Sequence, residues 1–88
     1  MNQSVEYLFG PHIDLASDFA RKQGWHPCSR VSWLKRDGTT VYFLSLIVQL
    51  DIVSAGETVH VIGYDKDALR VLKRQRAFAV CYDLSVPA

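Results

Sequence analysis

Three histidines, two cysteines and nine carboxylates are the side chains of this 88-residue chain with the most obvious capacity for chemistry. His12 stands out by position: it follows Gly10-Pro11 and opens a stretch of helical periodicity. An imidazole with an ordinary pKa near 6.5 is largely neutral at cellular pH. Its ring nitrogen then accepts a phosphoryl group and releases it again readily. A helix start adds unpaired backbone N–H groups and the positive end of a dipole, a favourable setting for a dianion. Asp14 opposes this, since a carboxylate about 5 Å from a phosphate costs on the order of 3 kcal/mol at an effective dielectric of about 20. A basic group from elsewhere, such as Arg30, would have to offset it. The plainer reading is an exposed histidine without a task, with Asp14 and Asp18 stabilising the first helical turn. His26 and His60 have no third ligand at metal spacing, so no metal is expected. His60 is out of phase with Val59 and Val61 and should face the other side of its strand. Cys28 and Cys81 fit neither a C-x-x-C nor a zinc pattern. They read as buried, reduced thiols, a disulfide between them being the minority alternative.

The elements that must position these residues follow from periodicity and punctuation. Val5 to Phe9 is a strand closed by Gly10-Pro11. His12 to Gln23 is a helix with Ile13, Ala16, Phe19 and Ala20 on one face, and Gly24 ends it. Ser29 to Lys35 and Thr39 to Leu44 form a hairpin around Lys35-Arg36-Asp37-Gly38. Leu46 to Ala55 is predicted as a helix capped by Ser45 and stopped by Gly56, because Leu46, Leu50 and Val53 share a face. The alternative is a longer strand, Val41 to Val53, with a second hairpin at Ser54 to Glu57. Thr58 to Tyr64 is a strand, Asp65 to Arg76 a helix with a basic end, and Phe78 to Leu84 a final strand.

A hydrophobic fraction of 49% with 22% charged residues is that of an ordinary globular domain, and the length fits one domain, residues 1–88. The formal net charge of +1 gives no whole-chain field directed at nucleic acid or membrane. The longest apolar stretch falls well short of the roughly 20 residues a spanning helix needs. The amino-terminal residues lack the basic start of a secretion signal. A cytoplasmic location is therefore expected.

Taken together, several segments resemble the histidine-containing phosphocarrier (HPr) family. Gly10-Pro11-His12-Ile13-Asp14-Leu15-Ala16-Ser17 is similar to the family's G-x-H-x-R-P-A-[ST] segment. Asp37-Gly38-Thr39-Thr40-Val41, followed by Ser45-Leu46-Ile47, resembles its x-G-K-x-V…K-S-[IL]-[ML] segment. Leu50, Gly56, Val59 and Asp67-Ala68-Leu69 fall where later family positions would. The resemblance implies an α+β fold, an open-faced sandwich of a four-stranded antiparallel sheet with three helices on one face, here with an extra C-terminal strand-like segment. It also implies phosphoryl transfer through His12, regulation at Ser45, and partner docking on Leu46, Ile47 and Leu50. The implied partners are phosphotransferase enzyme I and sugar-specific enzyme II components, with no cofactor. The chain departs from the pattern where the phosphate would sit: the family's arginine is Asp14, its proline is Leu15, and the lysine before its regulatory serine is Leu44.

These departures sustain a second reading, a protein-binding module that has lost phosphotransfer and serves an unknown protein partner. A third, nucleic-acid binding, rests on Lys66, Arg70, Lys73, Arg74 and Arg76 of the last helix. It is outweighed by the reading of those residues as a solvated helix face whose end complements the dipole.

Overall fold

The structure is a computed structural model and describes residues 4–63 and 65–82. It combines strands and helices in a single six-stranded sheet of order β2-β3-β4-β1-β5-β6. The strands are β1 (Val5–Phe9), β2 (His26–Ser29), β3 (Ser32–Leu34), β4 (Thr40–Leu44), β5 (Thr58–Ile62) and β6 (Phe78–Tyr82). Two α-helices, α1 (Ile13–Gln23) and α2 (Lys66–Arg74), and a 3₁₀ helix (Ile47–Ile52) complete it.

Four neighbouring strands, β4-β1-β5-β6, run parallel, while β2 pairs antiparallel with β3 and β3 antiparallel with β4. This corrects the expected four-stranded antiparallel sheet with helices on one face. Helices cover both faces. Leu8, Val41, Trp33 and Ile62 pack against Ala16, Phe19 and Ala20 of α1. Tyr7, Phe9, Val59 and Val61 pack on the opposite side against Leu50 of the 3₁₀ helix and Ala68 and Leu72 of α2. The physical cause lies in β1 itself. Tyr7, Leu8 and Phe9 are apolar at successive positions, so both faces of the strand require cover, the pattern of a parallel strand between two layers.

The hairpin at Asp37-Gly38 is present as β3–β4. Lys35 N–H donates to Thr39 O (2.8 Å), Thr39 N–H donates to the Asp37 carboxylate (2.9 Å), and Gly38 holds φ 93°, a left-handed value that favours glycine. The strand expected over Ser29 to Lys35 is the shorter β3, and β2, which precedes it over His26–Ser29, was not expected. β2 and β3 fold on each other through Arg30-Val31, where the Ser29 and Ser32 hydroxyls share a hydrogen bond of 2.7 Å.

The helix expected over Leu46 to Ala55 is the 3₁₀ helix Ile47–Ile52. Ser45 does not cap it. The side chain of Gln49 reaches back instead, its Oε1 accepting from the N–H groups of Ser45 and Leu46, both at 2.9 Å. Ile47, Val48, Ile52 and Val53 are β-branched and disfavour α geometry. The tighter winding changes which residues face inward. At about 3.0 residues per turn, Ile47, Leu50 and Val53 align. Leu50 and Val53 are buried in the core and Ile47 packs against it, while Leu46 leaves the inward face.

α1 and α2 lie where the periodicity puts them. Asp65 accepts from the N–H groups of Asp67 (3.0 Å) and Ala68 (3.1 Å), capping α2. Strand β6 pairs with β5 along its whole length, and the remainder of the expected last strand, with Tyr64 of the strand expected over Thr58 to Tyr64, lies outside the described residues. No helix among the described residues is long and apolar enough to cross a membrane.

Candidate functional site

The parallel strands β4, β1 and β5 all end on the same side of the molecule, at Leu44, Phe9 and Ile62. From there the chain leaves in different directions. After β1 it passes into α1 on one face. After β4 and β5 it passes into the 3₁₀ helix and α2 on the other. Such a divergence opens a crevice at the strand ends, the usual ligand position in open α/β sheets. The crevice here encloses about 420 Å³ and is lined by Pro11, Ser45, Leu46, Ile47, Gly63 and Asp65. Gly10 lies in the chain between Phe9 and Pro11, which line the crevice; its N–H donates to Leu44 O (3.1 Å), and a Cβ there would come within 3.2 Å of Ile62 Cδ1. A side chain at this position would require the Ile62 side chain to give by a few tenths of an ångström.

His12 follows Pro11 of the crevice lining without lining it itself, and is exposed, the N-cap residue of α1 with extended backbone (φ −142°, ψ 144°). Its carbonyl accepts from Ala16 N–H (3.2 Å), and its side chain makes no capping bond. The fold therefore brings together the loop of His12 with Ser45, Leu46 and Ile47, which the sequence separates by more than thirty positions. Ser45 is half-buried, and Leu46 is exposed. Leu50 is a correction: it is fully buried in the core between the 3₁₀ helix and the sheet, so it cannot touch a partner. Asp14 is exposed in the first turn of α1, and Asp65 is committed to capping α2.

A larger hollow of about 660 Å³ lies between α1 and the β2–β3 hairpin, with Trp25, Trp33, His26, Arg21 and Arg30 on its walls. Its acidic and basic groups already satisfy one another in part, since Asp18 binds Arg21 (2.6 Å) and Lys22 (3.1 Å). Those hydrogen bonds hold the Asp18 carboxyl below its ordinary pKa. Asp14 and Arg30, weighed from the sequence for their effect on a phosphate, line this hollow, whereas His12, Ser45, Leu46, Ile47 and Leu50 do not.

A third constellation was not foreseen. His60 is buried, facing α1 as its phase requires, and its Nε2 lies 2.6 Å from Glu6 Oε1. Lys35 Nζ reaches both oxygens of the same carboxylate, at 3.2 and 3.3 Å. His60 Nδ1 lies 2.9 Å from the Tyr82 hydroxyl, and the rings of Trp25 and Tyr82 flank the imidazole. One proton arrangement satisfies every atom. Lys35 and the Nε2–H of His60 donate to Glu6, and Nδ1 accepts from Tyr82. Burial raises the Tyr82 phenol above its ordinary pKa, with Lys35 opposing and Glu6 adding to the rise. The signal was present in the sequence as two polar residues, Glu6 and His60, inside apolar strands. Their meeting depends on the β1–β5 register, which sequence does not give.

Cys28 and Cys81 are both exposed and free, a correction to the buried reading. They lie on β2 and β6, the two outermost strands, so the width of the sheet separates them and no disulfide joins them. Among the described residues no group of His, Cys, Asp and Glu is placed to hold a metal ion. Comparison with protein-family models, curated proteins and solved structures gives no significant match.

Proposed function

We propose that this domain is a protein-binding module whose contact surface is the apolar ridge of the 3₁₀ helix beside the crevice. The observation that carries the reading is exposure. Leu46, Val48 and Ile52 are 58%, 69% and 58% exposed on a segment of only six helical residues and its cap. Each would contribute roughly 25 cal/mol for every Å² it buried against a partner. A cluster of this kind on a small domain marks an interaction surface. The partner is a protein that offers a complementary apolar strip. It contacts Leu46 and Ile47, two of the three positions at which the family resemblance implies docking.

Photo-crosslinking in the source cell tests the reading, with the reactive residue at Val48 in one sample and at Arg70 of α2 in another. A defined adduct at Val48, absent at Arg70, is expected. The adduct partner, purified, should then bind the wild-type chain at least about tenfold more tightly than Val48→Asp. An adduct pattern that does not depend on position would sink the proposal.

The phosphocarrier reading stands as a second proposal, supported by one observation: His12 is exposed, with its side chain free of capping, at the start of an eleven-residue helix, directly after Pro11, which shares a crevice with Ser45. In that reading His12 accepts a phosphoryl group from enzyme I and passes it to an enzyme II component, or serves a regulatory relative of that pathway. Incubation with phosphoenolpyruvate and enzyme I should then give an acid-labile label that His12→Ala abolishes. An unlabelled, correctly folded protein rules the reading out.

A further inference from the structure

The two edges of the sheet are built differently. Strand β2 contains Pro27, and its pairing with β3 is irregular between Pro27 and Ser29. Proline and a break in register are ordinary means of stopping an edge from pairing with another chain. Strand β6 carries neither. Phe78-Ala79-Val80-Cys81-Tyr82 contains no charge and no proline, and all five residues pair with β5 without interruption.

The hydrogen bonds show which groups this edge leaves open. Phe78 donates its N–H to Glu57 O (2.8 Å), and the Tyr82 carbonyl accepts from Gly63 N–H (2.7 Å). In a parallel ladder, residues bonded to one neighbour alternate with residues whose N–H and C=O point the other way. Ala79 and Cys81 therefore turn their N–H and C=O groups outward. On the α1 side of the same edge Phe78 is 64% exposed and Val80 40%.

We infer that β6 is an interface between two copies of this chain, which pair antiparallel through β6 about a two-fold axis at Val80. This register places Ala79 opposite Cys81 of the second copy, and the reverse, so the outward groups of each copy meet those of the other. It places Phe78 opposite Tyr82 of the second copy, an aromatic cross-strand pair, and Val80 opposite itself. The strand is uncharged, so no like charges meet. Both copies keep their α1 faces on the same side, and the sheet continues through twelve strands. A second copy fits better than an unrelated peptide because one sequence supplies both halves of a matched set: aromatic on aromatic, valine on valine, small on small. The contact is isologous and closes on itself, leaving only the two protected β2 edges.

Sedimentation equilibrium of the full chain, with Val80→Lys and Ala79→Pro, tests this directly. Ala79→Pro removes an outward donor and leaves the β5 ladder its bonds. A wild-type dimer whose dissociation constant rises at least about tenfold in both variants, with unchanged far-UV circular dichroism, is expected. A near-isosteric variant covers the case in which those chains misfold. Val80→Cys, placed in a Cys28→Ser, Cys81→Ser background, should form a disulfide-linked dimer under mild oxidation, because a non-hydrogen-bonded antiparallel pair brings Cα atoms to about 4.5 Å. Val48→Cys in that background should not. A wild-type monomer at high micromolar concentration overturns the inference. So does a dimer that Val48→Asp dissociates and Val80→Lys does not, which would assign association to the 3₁₀ ridge.

Discussion

At the scale of single residues, the Lys35–Glu6–His60–Tyr82 chain is where local chemistry most constrains stability. Glu6 is the hub, since its carboxylate accepts from both Lys35 and His60. Glu6→Ala leaves Lys35 and His60 half-buried or buried without that acceptor and should cost about 1–3 kcal/mol, measured by urea unfolding. Tyr82→Phe removes one hydrogen bond and should cost about 1 kcal/mol. The raised phenols of Tyr82 and Tyr7 add a pH dependence. The folded state holds these protons more tightly than the unfolded chain, so their contribution is complete below the ordinary phenol value of 10.0 and is lost as pH rises through the raised folded values. Alkaline unfolding curves should therefore flatten in Tyr82→Phe. Asp37 has the opposite sign. Hydrogen bonds from Thr39 hold its carboxyl low, so its contribution is present above the ordinary carboxylate range and is lost as pH falls through the folded value. Asp37→Asn should reduce the acid sensitivity of the β3–β4 turn in an amide-exchange titration.

At the scale of elements, what was legible in the sequence was whatever local patterning controls. α1 and α2 carry apolar stripes and charges matched to their dipoles, and Asp37-Gly38 forces a turn wherever its neighbours go. Asp65→Ala should cost about 1 kcal/mol by thermal unfolding, since it strips α2 of its cap. The stretch after Ser45 was misread for a physical reason. Leu46, Leu50 and Val53 satisfy a period of 3.6, and Ile47, Leu50 and Val53 satisfy a period of 3.0, so composition alone does not choose between them. Burial of Ile47 against the core and the reach of Gln49 decide it. The same choice turns Leu46 outward and so creates the ridge on which the binding proposal rests. Leu72→Ala in α2, by contrast, empties a fully buried site and should cost about 2–5 kcal/mol.

At the scale of the whole molecule, the order of elements was read nearly as it occurs, but not which strands are neighbours. Strand order depends on contacts between residues far apart in sequence, and an HPr-like order of segments is compatible with more than one sheet. The apolar succession Tyr7-Leu8-Phe9 was the local hint of cover on both faces. His12 and Ser45 were singled out from their types and flanking residues, and the crevice shared by Pro11 and Ser45 depends on the parallel pairing of β1 with β4, which the sequence does not give. The exposure of Cys28 and Cys81 has the same origin, since both lie at sheet edges.

The central place of β1 also has a consequence for biosynthesis. Val5 pairs with Thr40, and Glu6 pairs with Thr58. The first strand of this sheet to be synthesised is thus among the last to be enclosed, and it waits unpartnered while the residues up to Thr58 are made. Its two pairings close long loops, which slows folding relative to a chain of local contacts. A nascent chain stalled before Thr58 should be protease-sensitive throughout, with resistance appearing in one step once β5 clears the exit tunnel.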